Sequence, residues 1–273
     1  VDMSLSAFNK SSILSRVNRG EDVVVDSLFT TVFHAAEQVA QLSGGRFDPT
    51  VGPLVNLWGF GYKEGSETPT AEQIATALAT VGIARCTLAD GRVQKSDPAT
   101  EFDFAAIAKG FGCDVVARML ERNGCQNYLV EIGGEMALKG VNDRGEKWRI
   151  QIDAPVDSRV GTHQRAALIS VSDCGVASSG NYRNYRDTDS GRVGHTISPK
   201  TGYPVKTELL AVTVIAPDGM WADALATACM AMPIAEARTM IESLANTEAL
   251  FITAGKKDGE FTITATPGFP ERL

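Results

Sequence analysis

Apolar residues recur at helical spacing after Asp26-Ser27, at Leu28, Val32, Phe33, Ala36, Val39 and Ala40, and Gly44-Gly45 closes the run. That pattern predicts a helix with a start and a stop signal. Thr70-Ala71-Glu72-Gln73 has the spacing of a capping box, which predicts a helix to about Val81. Val115, Val116, Met119 and Leu120 predict a third helix, ending at Asn123-Gly124. Trp221 to Met230 is almost wholly apolar or small and reads as a helix, followed by another from Pro233 to about Leu244. Alternation at Thr87, Leu88, Arg92 and Val93 around Asp90-Gly91 predicts a hairpin. Tyr128 to Ile132 reads as a buried strand interrupted by Glu131. Further strands are expected at Met136–Leu138, Trp148–Ile152, Ala166–Ser172, Leu210–Ile215, Ala249–Thr253 and Phe261–Thr264.

Between these segments the pattern breaks down. Residues 1–26 are short and polar, with Phe8 and Leu14 as isolated apolar points. Arg46 to Pro53, with two prolines and a glycine, reads as a rigid loop. Leu54 to Gly61 sets Trp58 and Phe60 among glycines, which reads either as a lid on the core or as a platform for a flat ligand. Turns are expected at Gly133-Gly134, Asp189-Ser190-Gly191, Pro199…Gly202 and Lys256-Lys257-Asp258-Gly259. There is no internal repeat and no clear linker. Strands and helices interleave irregularly, so the expected fold is α+β: a single compact unit spanning 1–273, of mixed, largely antiparallel sheets flanked by helices.

Composition narrows the function classes. The chain has 273 residues, 44% hydrophobic and 22% charged, as ordinary soluble globular proteins do. A net charge of -7 without a basic run argues against nucleic-acid binding. No apolar stretch approaches the roughly 18 residues needed to span a bilayer. No signal peptide is read, but the chain starts at Val1, so a removed leader leaves the compartment open. Cys86, Cys113, Cys125, Cys174 and Cys229 are scattered, with no zinc spacing, and read as small core residues.

Five stretches carry candidate chemistry. Asp103 and Lys109 stand six apart with only small or apolar residues between them, where a strand is expected to hand over to a helix N-terminus. Such a junction suits an anion, or holds one buried ion pair. Asp223 and Thr227 share one face of an otherwise apolar helix. A carboxylate and a hydroxyl so placed suit a hard cation such as magnesium, or else cap the helix and bond back to the chain. His195 lies beside a Pro/Gly turn, as a general base, an anion contact or a structural hydrogen-bonding residue. Gly133-Gly134-Glu135 and Ser178-Ser179-Gly180-Asn181 are possible phosphate nests or ordinary turns. Together the pieces match what a nucleotide pyrophosphate needs.

These residues resemble the FAD:protein FMN transferases of the ApbE type. The matches are Phe47 to Gly61, Asp103 to Gly110, Glu131 to Gly134, Ser178 to Arg183, His195 to Gly202 and Ala222 to Thr227, in the family's order and across nearly the whole chain. The resemblance implies a magnesium-dependent enzyme with FAD as substrate. It would pass the FMN half to a threonine hydroxyl of an acceptor protein and release AMP. Asp223 and Thr227, with the Ala106 carbonyl, would hold the metal. Asp103 and Lys109 would contact the dinucleotide, and Arg46, Phe47, Asp48 and Ile197 would shape its pocket. Phe8, where many members carry tyrosine, would stack on the isoalloxazine. His195 is the first candidate for the base that takes the threonine proton, with Asp103 as an alternative base or a group orienting metal-bound water. Alternatives are an FAD pyrophosphatase that passes FMN to water and a non-catalytic FAD carrier.

Two departures stand out. Some members have a second carboxylate where this chain has Ala226. The family's N-terminal strand, with its Met-Gly-Thr-like motif, has no counterpart here, so the domain is expected to lack it. The resemblance further implies an acceptor among the subunits of a membrane redox complex. It implies a lipid-anchored place on the periplasmic side of the bacterial inner membrane, with the cytoplasm as the alternative.

Overall fold

The computed structural model describes residues 1–62, 68–155, 164–181, 185–188, 191–255, 257 and 260–273. In chain order the elements are α1 (Asp2–Leu5), α2 (Ile13–Asn18), α3 (Ser27–Leu42), α4 (Gly52–Leu57), α5 (Ala71–Ala79), β1 (Cys86–Ala89) and β2 (Arg92–Lys95). Then come α6 (Ala108–Arg122), β3 (Tyr128–Ile132), β4 (Glu135–Lys139), β5 (Trp148–Asp153), β6 (Arg165–Val171), β7 (Cys174–Gly180), β8 (Tyr185–Thr188) and β9 (Gly191–Gly194). The chain ends with β10 (Leu209–Ala216), α7 (Gly219–Met230), α8 (Ile234–Glu242), β11 (Glu248–Ala254) and β12 (Phe261–Ala265). The fold is α+β, and every ladder with a described register is antiparallel. By packing, the chain divides into two compact units, residues 1–108 with 186–205 and residues 109–185 with 206–273.

In the first unit α3 forms where the apolar period predicts it. Asp26 caps it by accepting from the Phe29 amide, and its buried face carries Phe29, Val32, Phe33, Ala36, Val39 and Ala40. That face meets two aromatics from the stretch before α6, with ring centroids 5.3 Å apart for Phe29–Phe104 and 5.8 Å for Phe33–Phe102. α5 starts with the reciprocal Thr70–Gln73 capping box. The N-terminal segment departs from its polar reading. It forms α1 and α2, which bury Leu5, Leu14 and Val17. Helices of 4 and 6 residues are too short to display a period, which is why the pattern misses them. The expected loop at 46–61 likewise contains α4, opened by a proline in its first turn.

The second unit is built on a six-stranded sheet in the order β12-β11-β10-β7-β4-β3. One face packs Leu138, Val176, Ala211, Ile215, Leu250 and Ile252 against the β5–β6 ribbon. α7 lies against β7 and β10 and is buried almost all round, so its sequence reads apolar without a polar face. Three expectations change. Ser178-Ser179-Gly180 is no loop nest but part of β7, paired with β10 in the middle of the sheet. β3 is an edge strand with most of its residues exposed, not a buried one. Directly before Asp103, among the described residues, there is no strand leading into α6, only an isolated bridge from Glu101 to Val51. The expected turn at Asp189-Ser190 and most of the one at 256–259 lie outside the described residues.

Candidate functional site

In the second unit, α7 carries Asp223 and Thr227 one turn apart. Asp223 is 3% exposed, and its Oδ2 accepts from the Gly110 amide at 3.0 Å. That amide belongs to the first turn of α6, whose N–H groups have no partner within the helix. Thr227 is half-buried, with its hydroxyl 3.5 Å from that of Ser179 on β7. Burial pushes the Asp223 carboxyl up to about 7. The Lys109 ammonium pulls it down, and the Glu135 carboxylate pushes it up again.

Lys109 and Glu135 form an ion pair in which the carboxylate is almost wholly buried and the lysine side chain is half exposed. Glu135 follows the Gly133-Gly134 turn, where both glycines have positive φ, at 65° and 100°. Its second oxygen, Oε2, is buried without a hydrogen-bond partner among the described residues. A buried carboxylate with an orphaned oxygen beside a second buried carboxylate makes this corner of the unit short of positive charge. The donor types are hard oxygens, and the described residues offer no group of three or more His, Cys, Asp or Glu side chains around a point. Magnesium takes hard oxygen donors, so the carboxylate and hydroxyl present are of the type that fits that ion.

The remaining expected residues lie in the first unit. Asp103 opens the turn into α6 by accepting from the Ala105 amide at 2.8 Å, and burial raises its pKa. Ala106 sits half-buried in that turn. Asp48 is committed to the loop itself: it accepts from the Thr50 amide, the Thr50 hydroxyl and the Ile83 amide at 2.8, 2.6 and 3.0 Å. Phe47 is buried and its amide donates to Ser43, while Arg46 is half-buried. Ile197 is buried with Leu54, Trp58 and Ile74. Trp58 donates from Nε1 to the Gly202 carbonyl at 2.8 Å and is 6% exposed, so it covers this small core. His195 is half-buried with its ring edge-on to Phe60, centroids 6.3 Å apart. Phe8 is 73% exposed and leans on Tyr62.

Sequence reasoning missed Asp114. It is 5% exposed on α6 and accepts from the Gly219 and Met220 amides, each at 2.8 Å. The signal was present in the chain. Asp114 stands within the small and apolar run from Phe111 to Ala117 of α6, as Asp223 stands among small and apolar residues on α7. The sequence offers Glu135 as part of a possible phosphate nest or an ordinary turn, not as a partner of Lys109. Its pairing across 26 positions has no local signature.

The model of the ApbE family matches residues 1–251. The chain is 42% identical over 236 residues to a protein of Haemophilus influenzae named FAD:protein FMN transferase, covering 83% of this chain and 68% of that one. It is 40% identical over 264 residues to the Vibrio cholerae protein of the same name, covering 95% and 77%. Among solved structures it is similar to the flavin transferase ApbE of Vibrio cholerae, with a TM-score of 0.87 and 37% identity over 98% of this chain and 85% of the other.

Proposed function

The chain belongs to the ApbE family and transfers the FMN moiety of FAD to protein, and we propose that it does so with magnesium, onto a threonine hydroxyl, releasing AMP. The observation that carries the magnesium reading is the buried Asp223 with Thr227 one turn further along α7, beside the Lys109–Glu135 pair. A magnesium ion held there would supply positive charge to a diphosphate and so lower the cost of breaking the bond to AMP. Asp223 contributes the anionic oxygen and Thr227 the hydroxyl, and the Gly110 amide fixes the rotamer of Asp223. Lys109 offers an ammonium to a phosphate oxygen.

In the proposed transfer the threonine Oγ forms a bond to the phosphorus that carries riboflavin. The bond from that phosphorus to the bridging oxygen breaks, and AMP leaves with the electron pair. The hydroxyl proton passes to His195, the group the resemblance points to for that task. Support for a protein acceptor rests on the relatives' name, and the exposed Phe8 suits a residue that stacks on a flavin ring. A subunit of a membrane redox complex is the proposed acceptor, on the periplasmic side of the inner membrane, with this chain lipid-anchored there. Both follow from the family resemblance. Among the described residues no helix is long and apolar enough to cross a membrane.

Incubation with FAD, magnesium and a threonine-bearing acceptor domain tests the reading. Equal amounts of AMP and flavin-labelled acceptor are expected, with the label on threonine and both products lost on chelation. AMP with only free FMN would make the chain a pyrophosphatase. Bound FAD without AMP would make it a carrier.

A further inference from the structure

We infer that Asp114 is a positioning residue for the reaction: from α6 it sets the place of α7, and through α7 the oxygens of Asp223 and Thr227. The accounting of hydrogen bonds at the start of α7 carries this. A helix begins with four amides that lack partners inside it. Here the Trp221 amide is taken by the Asp218 side chain at 2.9 Å, while the Ala222 amide makes the first ordinary helical bond, to the Asp218 carbonyl at 3.1 Å. The amides of the first two helical residues, Gly219 and Met220, both go to Asp114, one to each oxygen. A carboxylate from a neighbouring helix thus completes the cap, where a negative charge also meets the positive end of the helix dipole.

The exchange runs in both directions. Asp114 of α6 caps α7, and Asp223 of α7 accepts from the first-turn Gly110 amide of α6. Two carboxylates, each on one helix and bound to the amides of the other, fix both the axial position and the rotation of the pair. The backbones meet closely enough to need this. A Cβ on Gly219 would lie 2.7 Å from the Gly110 carbonyl oxygen, and one on Gly175 of β7 would overlap the Asp218–Gly219 peptide. At this close contact the capping hydrogen bonds act with the sheet floor and the neighbouring α8 to hold α7 in register. Asp223 sits one turn past the cap, so a shift at Gly219 reaches it undiminished.

The inference rests on the reading that Asp223 and Thr227 hold the metal, and the test separates the two. Metal binding is measured directly, by electron paramagnetic resonance of free Mn2+ titrated with the protein. Four chains are compared: wild type, Asp223→Ala, Asp114→Asn and Asp114→Glu. Asp223→Ala is expected to abolish binding; if it binds as wild type does, the metal reading itself fails. Asp114→Glu keeps both acceptor oxygens but displaces them by one methylene, so it retains the fold even where Asp114→Asn does not. Loss of orienting hydrogen bonds behind a metal ligand weakens the metal by about tenfold or more. Each Asp114 variant that folds is therefore expected to bind Mn2+ about tenfold more weakly. The FAD-bound fraction without metal should stay unchanged. Wild-type Mn2+ affinity in a folded Asp114 variant, with Asp223→Ala dead, reduces Asp114 to a stabilising cap and overturns the inference.

Discussion

Gly110 and Gly219 meet backbone to backbone: a Cβ on Gly219 would stand 2.7 Å from the Gly110 carbonyl oxygen, and one on Gly110 would overlap the Gly219 carbonyl. The contact lets the first turns of α6 and α7 touch, which places the Gly110 amide on Asp223. Gly110→Ala therefore does more than add a methyl group. Overpacking alone costs about 1–3 kcal/mol, and relief of the clash must move α7 off its cap. A fall in thermal midpoint together with weaker metal binding is expected. A variant as stable as wild type would show that the two helices have room to part.

Removal of Asp223 tests the chemistry and the helix contact together. The residue is buried and its carboxyl is raised by that burial, so its ionised form is unfavourable in the metal-free protein. Asp223→Ala strands the buried Gly110 amide, so the metal-free thermal midpoint should fall modestly, by the equivalent of about 1–3 kcal/mol, while magnesium-dependent AMP release is eliminated. Thr227→Val should act in the same direction more weakly, since it removes a neutral ligand. Turnover that survives in Asp223→Ala, measured as AMP released, would move the metal elsewhere.

The same burial fixes a pH dependence. Asp223 is raised to about 7 from 3.8, by burial first, and Asp114 to about 6, by burial and then by the charge of Asp218. In the folded state both hold their protons over a range where the unfolded chain has lost them. Between about pH 4 and 7 the native protein therefore binds more protons than the unfolded one, and stability falls as pH rises through that window. Metal-free protein should melt higher at pH 5 than at pH 8. Magnesium takes the ionised form of Asp223, so it should raise the midpoint more at pH 8 than at pH 5. Calorimetry with and without magnesium decides this, and a midpoint that climbs from pH 5 to 8 without metal would contradict the assigned shifts.

Much of this arrangement was legible in the chain because it is local. The capping box at Thr70, the period of α3 and the turn at Asp90-Gly91 each rest on contacts within a few residues, and each appears where the pattern puts it. The Asp223–Thr227 pair was legible for the same reason, since i and i+4 always share a helix face. What stayed hidden is non-local. Asp48 bonds to Ile83, Lys109 to Glu135 and Asp114 to Gly219, and no spacing rule links such pairs. Ser178 and Ser179 were misread because polar, small residues resemble a loop. In the centre of the sheet their hydroxyls instead face Thr213 and Thr227.

Lys109 and Glu135 allow stability and binding to be separated. Lys109→Ala leaves the Glu135 carboxylate buried without its cation, while the lysine itself is half exposed, so solvent softens the loss. About 1–3 kcal/mol of destabilisation is expected from the stranded group. Adding Glu135→Gln removes the unpaired charge and should restore most of it. If Lys109 contacts the dinucleotide, the KM for FAD stays raised in the double variant although its stability has returned. A KM that recovers along with stability would assign Lys109 to the fold alone.

Phe8 separates transfer from hydrolysis. It is 73% exposed, with an edge contact to Tyr62, 6.1 Å between centroids. A large apolar ring so little covered contributes almost nothing to folding, so Phe8→Ala should change stability by no more than about 0.5 kcal/mol. Stacking on a flat ring would give that exposed surface a use, since aromatic pairs are worth about 0.5–1.5 kcal/mol beyond the area they cover. Phe8→Ala is then expected to raise the KM for FAD several-fold. A flavin held loosely also meets water more easily, so the ratio of acceptor-bound flavin to free FMN should fall. Phe8→Tyr keeps the ring and should keep both values. Should the alanine variant match wild type in KM and in product ratio, the flavin does not rest on Phe8.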